Sequence, residues 1–144
     1  MICLLDYPDI LSTNIYDIIF KDKFLLVGSC IPRIYPDVLK NFEKEWGNIC
    51  VYCLEQSHYN MLFSKLVDIL ALGKTTKVGF LTVDGSPHCI QMHFASKYLK
   101  RALKNQDIEY KNFVINKNKQ VFDVPVEKID YAKDLSNFGV EVVK

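Results

Sequence analysis

The sequence predicts an α/β fold, a mostly parallel sheet with helices on both faces, and three observations carry that reading. Short apolar runs without alternation recur along the chain, as strands buried on both faces require. Segments with a single apolar stripe at helical spacing separate them. Each run closes on glycine or on other turn residues.

The first run is Phe24-Leu25-Leu26-Val27, ended by Gly28-Ser29. In residues 36–46, Val38, Leu39, Phe42 and Trp46 share a stripe, with Pro36 suited to open a helix and Gly47 to close it. Ile49 to Leu54 is the second run. Residues 58–72 form a second helical pattern, with Ser57 as N-cap and Gly73 as stop. Val78 to Val83 is the third run, closed by Asp84-Gly85. Ser86-Pro87 then opens a helix that runs to about Lys104, with Met92, Ala95, Leu99, Ala102 and Leu103 inward. Residues 110–115 and 120–124 predict a hairpin around Asn116 to Lys119, and Pro125 opens a last helix carrying Ile129, Ala132, Leu135 and Phe138. Residues 1–20 fit no element firmly; Ile15 to Phe20 suits a strand or a short helix.

The order βαβαβα-ββα corresponds to a three-layer Rossmann-like or flavodoxin-like sheet with a C-terminal antiparallel hairpin at one edge. A chain of 144 residues is the length of one such domain, so residues 1–144 are read as a single unit. The 18 Lys and Arg nearly balance 17 Asp and Glu, which argues against a nucleic-acid binder. Lys97, Lys100, Arg101 and Lys104 read as a solvated helix face. No run reaches the ~20 apolar residues of a membrane span. Met1 to Asp6 lacks the basic leader of a signal peptide. Cytoplasmic location is therefore expected, and the odd count of five cysteines suits reduced thiols there.

Topology turns the cysteines into a geometric claim. Parallel strands share one carboxyl rim, and open α/β folds bind ligands there, near the point where strand order reverses. Cys30 follows the first strand, Cys53 ends the second with His58 just beyond, and His88-Cys89 opens the helix after the third. In a 2-1-3 strand order the first strand lies between the others, each about 4.8 Å away. Cys30, Cys53 and Cys89, completed by His88 or His58, would then hold zinc or an iron–sulfur cluster. The bland alternative is that each cysteine fills the core as a small hydrophobe, as Cys3 and Cys50 are expected to do. The C-x-x-C spacing of Cys50 and Cys53 is no metal motif, because residues i and i+3 of a strand face opposite sides.

The same rim also admits thiol or redox chemistry. Cys89, near a helix N-terminus, is the candidate nucleophile, with His58 or His88 as base and Asp84 as a carboxylate able to orient a histidine. Asp84-Gly85 is equally an ordinary turn, and His88 equally an exposed residue. Ser29, Gly85 and Ser86 are the candidate cofactor-binding positions, and Arg33 would meet an anion at the mouth. No phosphate-cradling glycine motif is present. His93 reads as a partly buried helix histidine. The leading expectation is a protein with a metal or iron–sulfur site at the rim, its partner a metal or small molecule. A thiol enzyme using Cys89 is the alternative, and an assembly module with inert cysteines, such as a homodimer, is the third.

Overall fold

Four parallel strands, β1 (Asp22–Gly28), β2 (Ile49–Tyr52), β3 (Thr75–Val83) and β4 (Glu109–Ile115), carry the fold in the computed structural model, which describes residues 7–54, 58–87, 89–129 and 135–142. The antiparallel strands β5 (Val121–Asp123) and β6 (Val140–Val142) extend the sheet, giving the order β2-β1-β3-β4-β5-β6. The expected α/β architecture, its hairpin and the central place of β1 are all present. Helices α1 (Ile31–Ile34) and α2 (Pro36–Trp46) follow β1, α3 (Tyr59–Ala71) follows β2, and α4 (Ile90–Ala102) follows β3.

The strand side chains sort by parity onto two faces. Leu25, Val27, Ile49, Val51 and Leu81 pack with Leu39, Phe42 and Trp46 of α2. Phe24, Leu26, Cys50, Tyr52, Val78 and Phe80 pack with α3 through Leu62 and Leu66, and with α4 through Met92, Ala95 and Leu99. Helices thus cover both faces, and that is why the apolar runs show no alternation. The chain steps from β1 to β2 on one side, then crosses back over β1 to β3. The strand order therefore reverses between β1 and β3.

Local chemistry sets the element ends. Pro36 stands in the first turn of α2, and Gly47 ends that helix at φ 77°, where any other L-residue would be strained. Gly73 does the same after α3 at φ 78°. In β3, Gly79 serves a different need: a Cβ there would stand 2.7 Å from the Trp46 ring and 2.8 Å from Leu25 Cδ1. The missing side chain is the notch that seats Trp46 on the sheet. In the β4–β5 turn, Asn116 Oδ1 accepts from the N–H groups of Asn118 at 3.0 Å and Gln120 at 2.9 Å.

Two expectations are corrected. The regular part of α4 begins at Ile90 instead of directly after Ser86-Pro87. In place of a continuous helix from Pro125 there are two 3-10 turns, Val126–Lys128 and Leu135–Phe138, and strand β6; residues 130–134 lie outside the described residues. Ile129 and Leu135 are buried as the periodicity required, yet Phe138 is exposed, because β6 draws the chain away to pair with β5. Between residues 15 and 20, the short-helix alternative is the one realised, as a 3-10 turn over Ile18–Phe20 whose N-cap Asp17 accepts from the Ile19 N–H at 2.9 Å. Among the described residues, no helix is long and apolar enough to cross a membrane.

Candidate functional site

Three chain reversals build the carboxyl rim. Beyond β1, the Ser29 N–H donates to the Tyr52 carbonyl at 3.0 Å and ties the end of β1 to that of β2. Beyond β2, the Tyr52 hydroxyl donates to the His58 carbonyl at 2.7 Å, fixing the start of α3. Beyond β3, the Asp84 N–H donates to the Ile115 carbonyl at 2.8 Å, and Gly85 turns the chain at φ 80°.

Ser86 then caps the next helical turn. Its Oγ accepts from the Cys89 N–H at 3.3 Å and its carbonyl accepts from the Ile90 N–H at 3.2 Å. These are the bonds of an N-cap serine to the third and fourth residues after it. Cys89 is thereby held at the first residue before the regular helix. At Gly28, an added Cβ would lie 3.7 Å from the Cys89 Sγ, so the thiol stands over the end of β1.

The reversals enclose a cleft of about 190 Å³ between β1, β2 and the start of α4. Ser29, Cys30, Arg33, Cys53, Ser86 and Cys89 border it, together with Gly28, Tyr52, Leu54 and Met92. The three cysteines assigned to the rim thus line one cavity at the point where strand order reverses. Burial pushes the Cys30 thiol above its ordinary pKa of 9.0. The neighbouring Cys89 and Cys53 push the same way, while a backbone hydrogen bond and Arg33 act against them. Among the described residues, no three Cys, His, Asp or Glu side chains are grouped as ligands of a single ion.

The other expected site residues divide. Ser29 and Ser86 border the cleft. Gly85 shapes the turn and does not line it. Asp84 is half-buried and committed elsewhere: its carboxylate accepts from the Ser136 N–H at 3.1 Å and from the Ser136 hydroxyl at 2.5 Å. His58 is the exposed N-cap residue of α3 and is not part of the lining. His88 lies outside the described residues. Cys50 is fully buried, with its thiol directed at the Leu25 carbonyl at 3.8 Å, and burial raises its pKa strongly. It is structural, as expected.

A second polar feature escaped the sequence reading. His93 is completely buried, deeper than its helix position suggested. Its Nε2 pairs with Thr82 Oγ1 at 2.7 Å and its Nδ1 with Asn112 Oδ1 at 2.9 Å, and the Asn112 amide donates to Ser96 Oγ at 3.1 Å. With the Asn112 oxygen as acceptor, Nδ1 carries the proton and Nε2 accepts from Thr82. Burial lowers the His93 pKa to about 4, against the raising effects of Asn112 and Asp84. The available signal was four polar residues at inward positions of α4, β3 and β4.

An open sheet that reverses its strand order at a ligand-sized cleft defines a doubly wound α/β protein. A family model described as a Rossmann-like domain matches residues 18–140, and the chain belongs to that family. No curated protein and no solved structure matches it.

Proposed function

We propose that this Rossmann-like domain holds a thiolate-ligated metal centre in the rim cleft, with Cys30, Cys53 and Cys89 as ligands. The observation that supports it is the meeting of three thiols, from three separate chain reversals, around one cavity of about 190 Å³. Burial alone gives cysteines no reason to gather at one edge of a sheet. Soft thiolates select iron–sulfur clusters, zinc or copper(I) over hard cations.

Between the first two, the arrangement favours the cluster. A zinc ion draws four ligands to one point at about 2.3 Å, whereas a cluster spreads its cysteines over several irons. The thiols here border a cavity of about 190 Å³. Three cysteines leave one coordination position of a four-iron cluster for another ligand. Such a centre needs a reducing compartment, which is the case for a cytoplasmic location.

Anaerobic purification, or reconstitution with iron and sulfide, followed by elemental analysis and a visible spectrum tests the proposal. The expected result is iron with acid-labile sulfide and a broad visible absorption, each lost in Cys30→Ser, Cys53→Ser and Cys89→Ser. Stoichiometric zinc that depends on the same cysteines would sink the cluster while keeping a thiolate site. Absence of any bound metal after reconstitution would sink both.

A further inference from the structure

A second cavity lies at the opposite end of the sheet, where β3 begins. Its volume is about 170 Å³, and residues 15–18, 20 and 21 face the end of α3 across it. Ile15, Phe20, Ile69 and Leu72 supply apolar wall, while Lys21 and Lys74 bring cations to it. Hydrogen bonds hold the segment in place. Asn14 Oδ1 accepts from the Tyr16 N–H at 2.8 Å, and the Phe20 carbonyl accepts from the Thr75 hydroxyl at 2.6 Å. The two lysines are far apart in sequence, yet the Asp22 N–H donates to the Lys74 carbonyl at 2.9 Å and brings their backbones together. Each stands beside a residue in the left-handed region, Lys21 before Asp22 at φ 69° and Lys74 after Gly73 at φ 78°. Turns of this kind fix where both side chains leave the chain.

The same wall leaves large apolar groups in water. Tyr16 is 67% exposed and Ile18 79% exposed, and both border the cavity. The Lys74 ammonium stands 6.0 Å from the centroid of the Tyr16 ring, so cation and ring face a ligand together. We infer that this cavity binds a small aromatic monocarboxylate, its ring packed on Tyr16 and Ile18 and its carboxylate paired with Lys21 and Lys74. The site shares no lining residue with the rim cleft and is independent of the metal reading. Charge sets the sign of the ligand. Two ammonium groups accompany one carboxylate, Asp17, which already accepts from the Ile19 N–H at 2.9 Å. Size sets its body: about 170 Å³ is below the ~300–1,000 Å³ of pockets that enclose drug-sized ligands, and suits a single ring. An aromatic body also gains from stacking on the Tyr16 ring, which an aliphatic body of equal area does not.

NMR titration of the full chain with phenylacetate, phenylacetamide and acetate tests this. Phenylacetate should shift the amide signals of residues 15–21 and 69–75 saturably. The uncharged phenylacetamide and the ringless acetate should each bind about tenfold more weakly. Lys21→Gln and Lys74→Gln, both changes at the cavity mouth, should each weaken phenylacetate about threefold, and the double variant about tenfold. Tyr16→Ala should weaken it about threefold as well. Equal affinity for phenylacetamide, unchanged affinity in the double lysine variant, or the lack of a saturable shift at these residues would overturn the inference. Retention of the chain on phosphatidylserine vesicles through Tyr16 and Ile18, without phenylacetate binding, would overturn it too and make the patch a membrane contact.

Discussion

His93 shows how much a single side chain inside this core has to be given. A neutral imidazole with no exposure to solvent needs a partner for each ring nitrogen, and Thr82 and Asn112 supply them. The sequence placed His93 on α4, but the partners come from strands eleven and nineteen residues away, so helix periodicity alone could not reveal them. Its pKa of about 4 in the fold lies below the ordinary 6.5, so the unfolded chain takes up the proton first as pH falls. The stability this neutral histidine contributes is whole above about pH 6.5 and is lost as pH drops towards 4. That loss is roughly 3 kcal/mol by pH 4, at about 1.4 kcal/mol for each unit of difference. An NMR titration should give His93 a midpoint near 4, and urea unfolding should steepen in that window relative to a His93→Gln variant. A midpoint near 6.5 would refute the account. The thiols differ as sharply. Iodoacetamide followed by mass spectrometry should leave Cys50 unmodified until the protein unfolds, because it is sealed between β1 and α3. In the metal-free protein, Cys30 should react with a pH midpoint displaced above that of an ordinary thiol. Rapid native alkylation of Cys50 would contradict its burial.

At the scale of elements, the strands and helices were legible where periodicity and punctuation agreed. Pro36 and Gly47 bracket α2 at its observed bounds, and the β4–β5 hairpin falls where its asparagines put it. The Pro125 segment failed because burial and helix are separable demands: Ile129 and Leu135 reach the core from two 3-10 turns. Asp84 then takes on a second meaning. Its two bonds to Ser136 clamp the Leu135–Phe138 turn against the end of β3, a long-range contact that no local pattern announces. Asp84→Ala should accordingly quicken hydrogen exchange in β6 first, and uniform exchange across the sheet would argue against a clamp. Gly79 is the other silent position. In the sequence it interrupts an apolar run; in the fold it makes room for the helix opposite, where Trp46 also meets Phe113 edge-on at 6.3 Å between centroids. Gly79→Ala forces a methyl to within 2.7 Å of that ring, an overpacking that should cost about 1–3 kcal/mol in urea unfolding. A neutral substitution would mean that Trp46 shifts freely, contrary to its near-complete burial.

Across the whole molecule, the candidate site is a product of topology. Cys30, Cys53 and Cys89 are far apart in sequence, and only the β2-β1-β3 order makes them neighbours. That much followed from reading strands and assuming the order. Ser29, Ser86 and Arg33 were legible there too, but Met92, read as an inward residue of its helix, enters the wall through packing that the sequence does not announce. A centre held by all three thiols would tie together the ends of β1 and β2 and the start of α4. Binding to the folded state alone stabilises it by RT ln(1 + [L]/Kd), about 4 kcal/mol when free metal exceeds the dissociation constant a thousandfold. For a chain of this length that corresponds to a rise in melting temperature of roughly 10 °C. Calorimetry of loaded and chelator-stripped protein should show the rise in wild type and lose it in the Cys30→Ser, Cys53→Ser, Cys89→Ser triple variant. Full metal occupancy with no change in melting would mean that the three reversals are not bridged, and the metal would then have to sit on fewer than three of these cysteines.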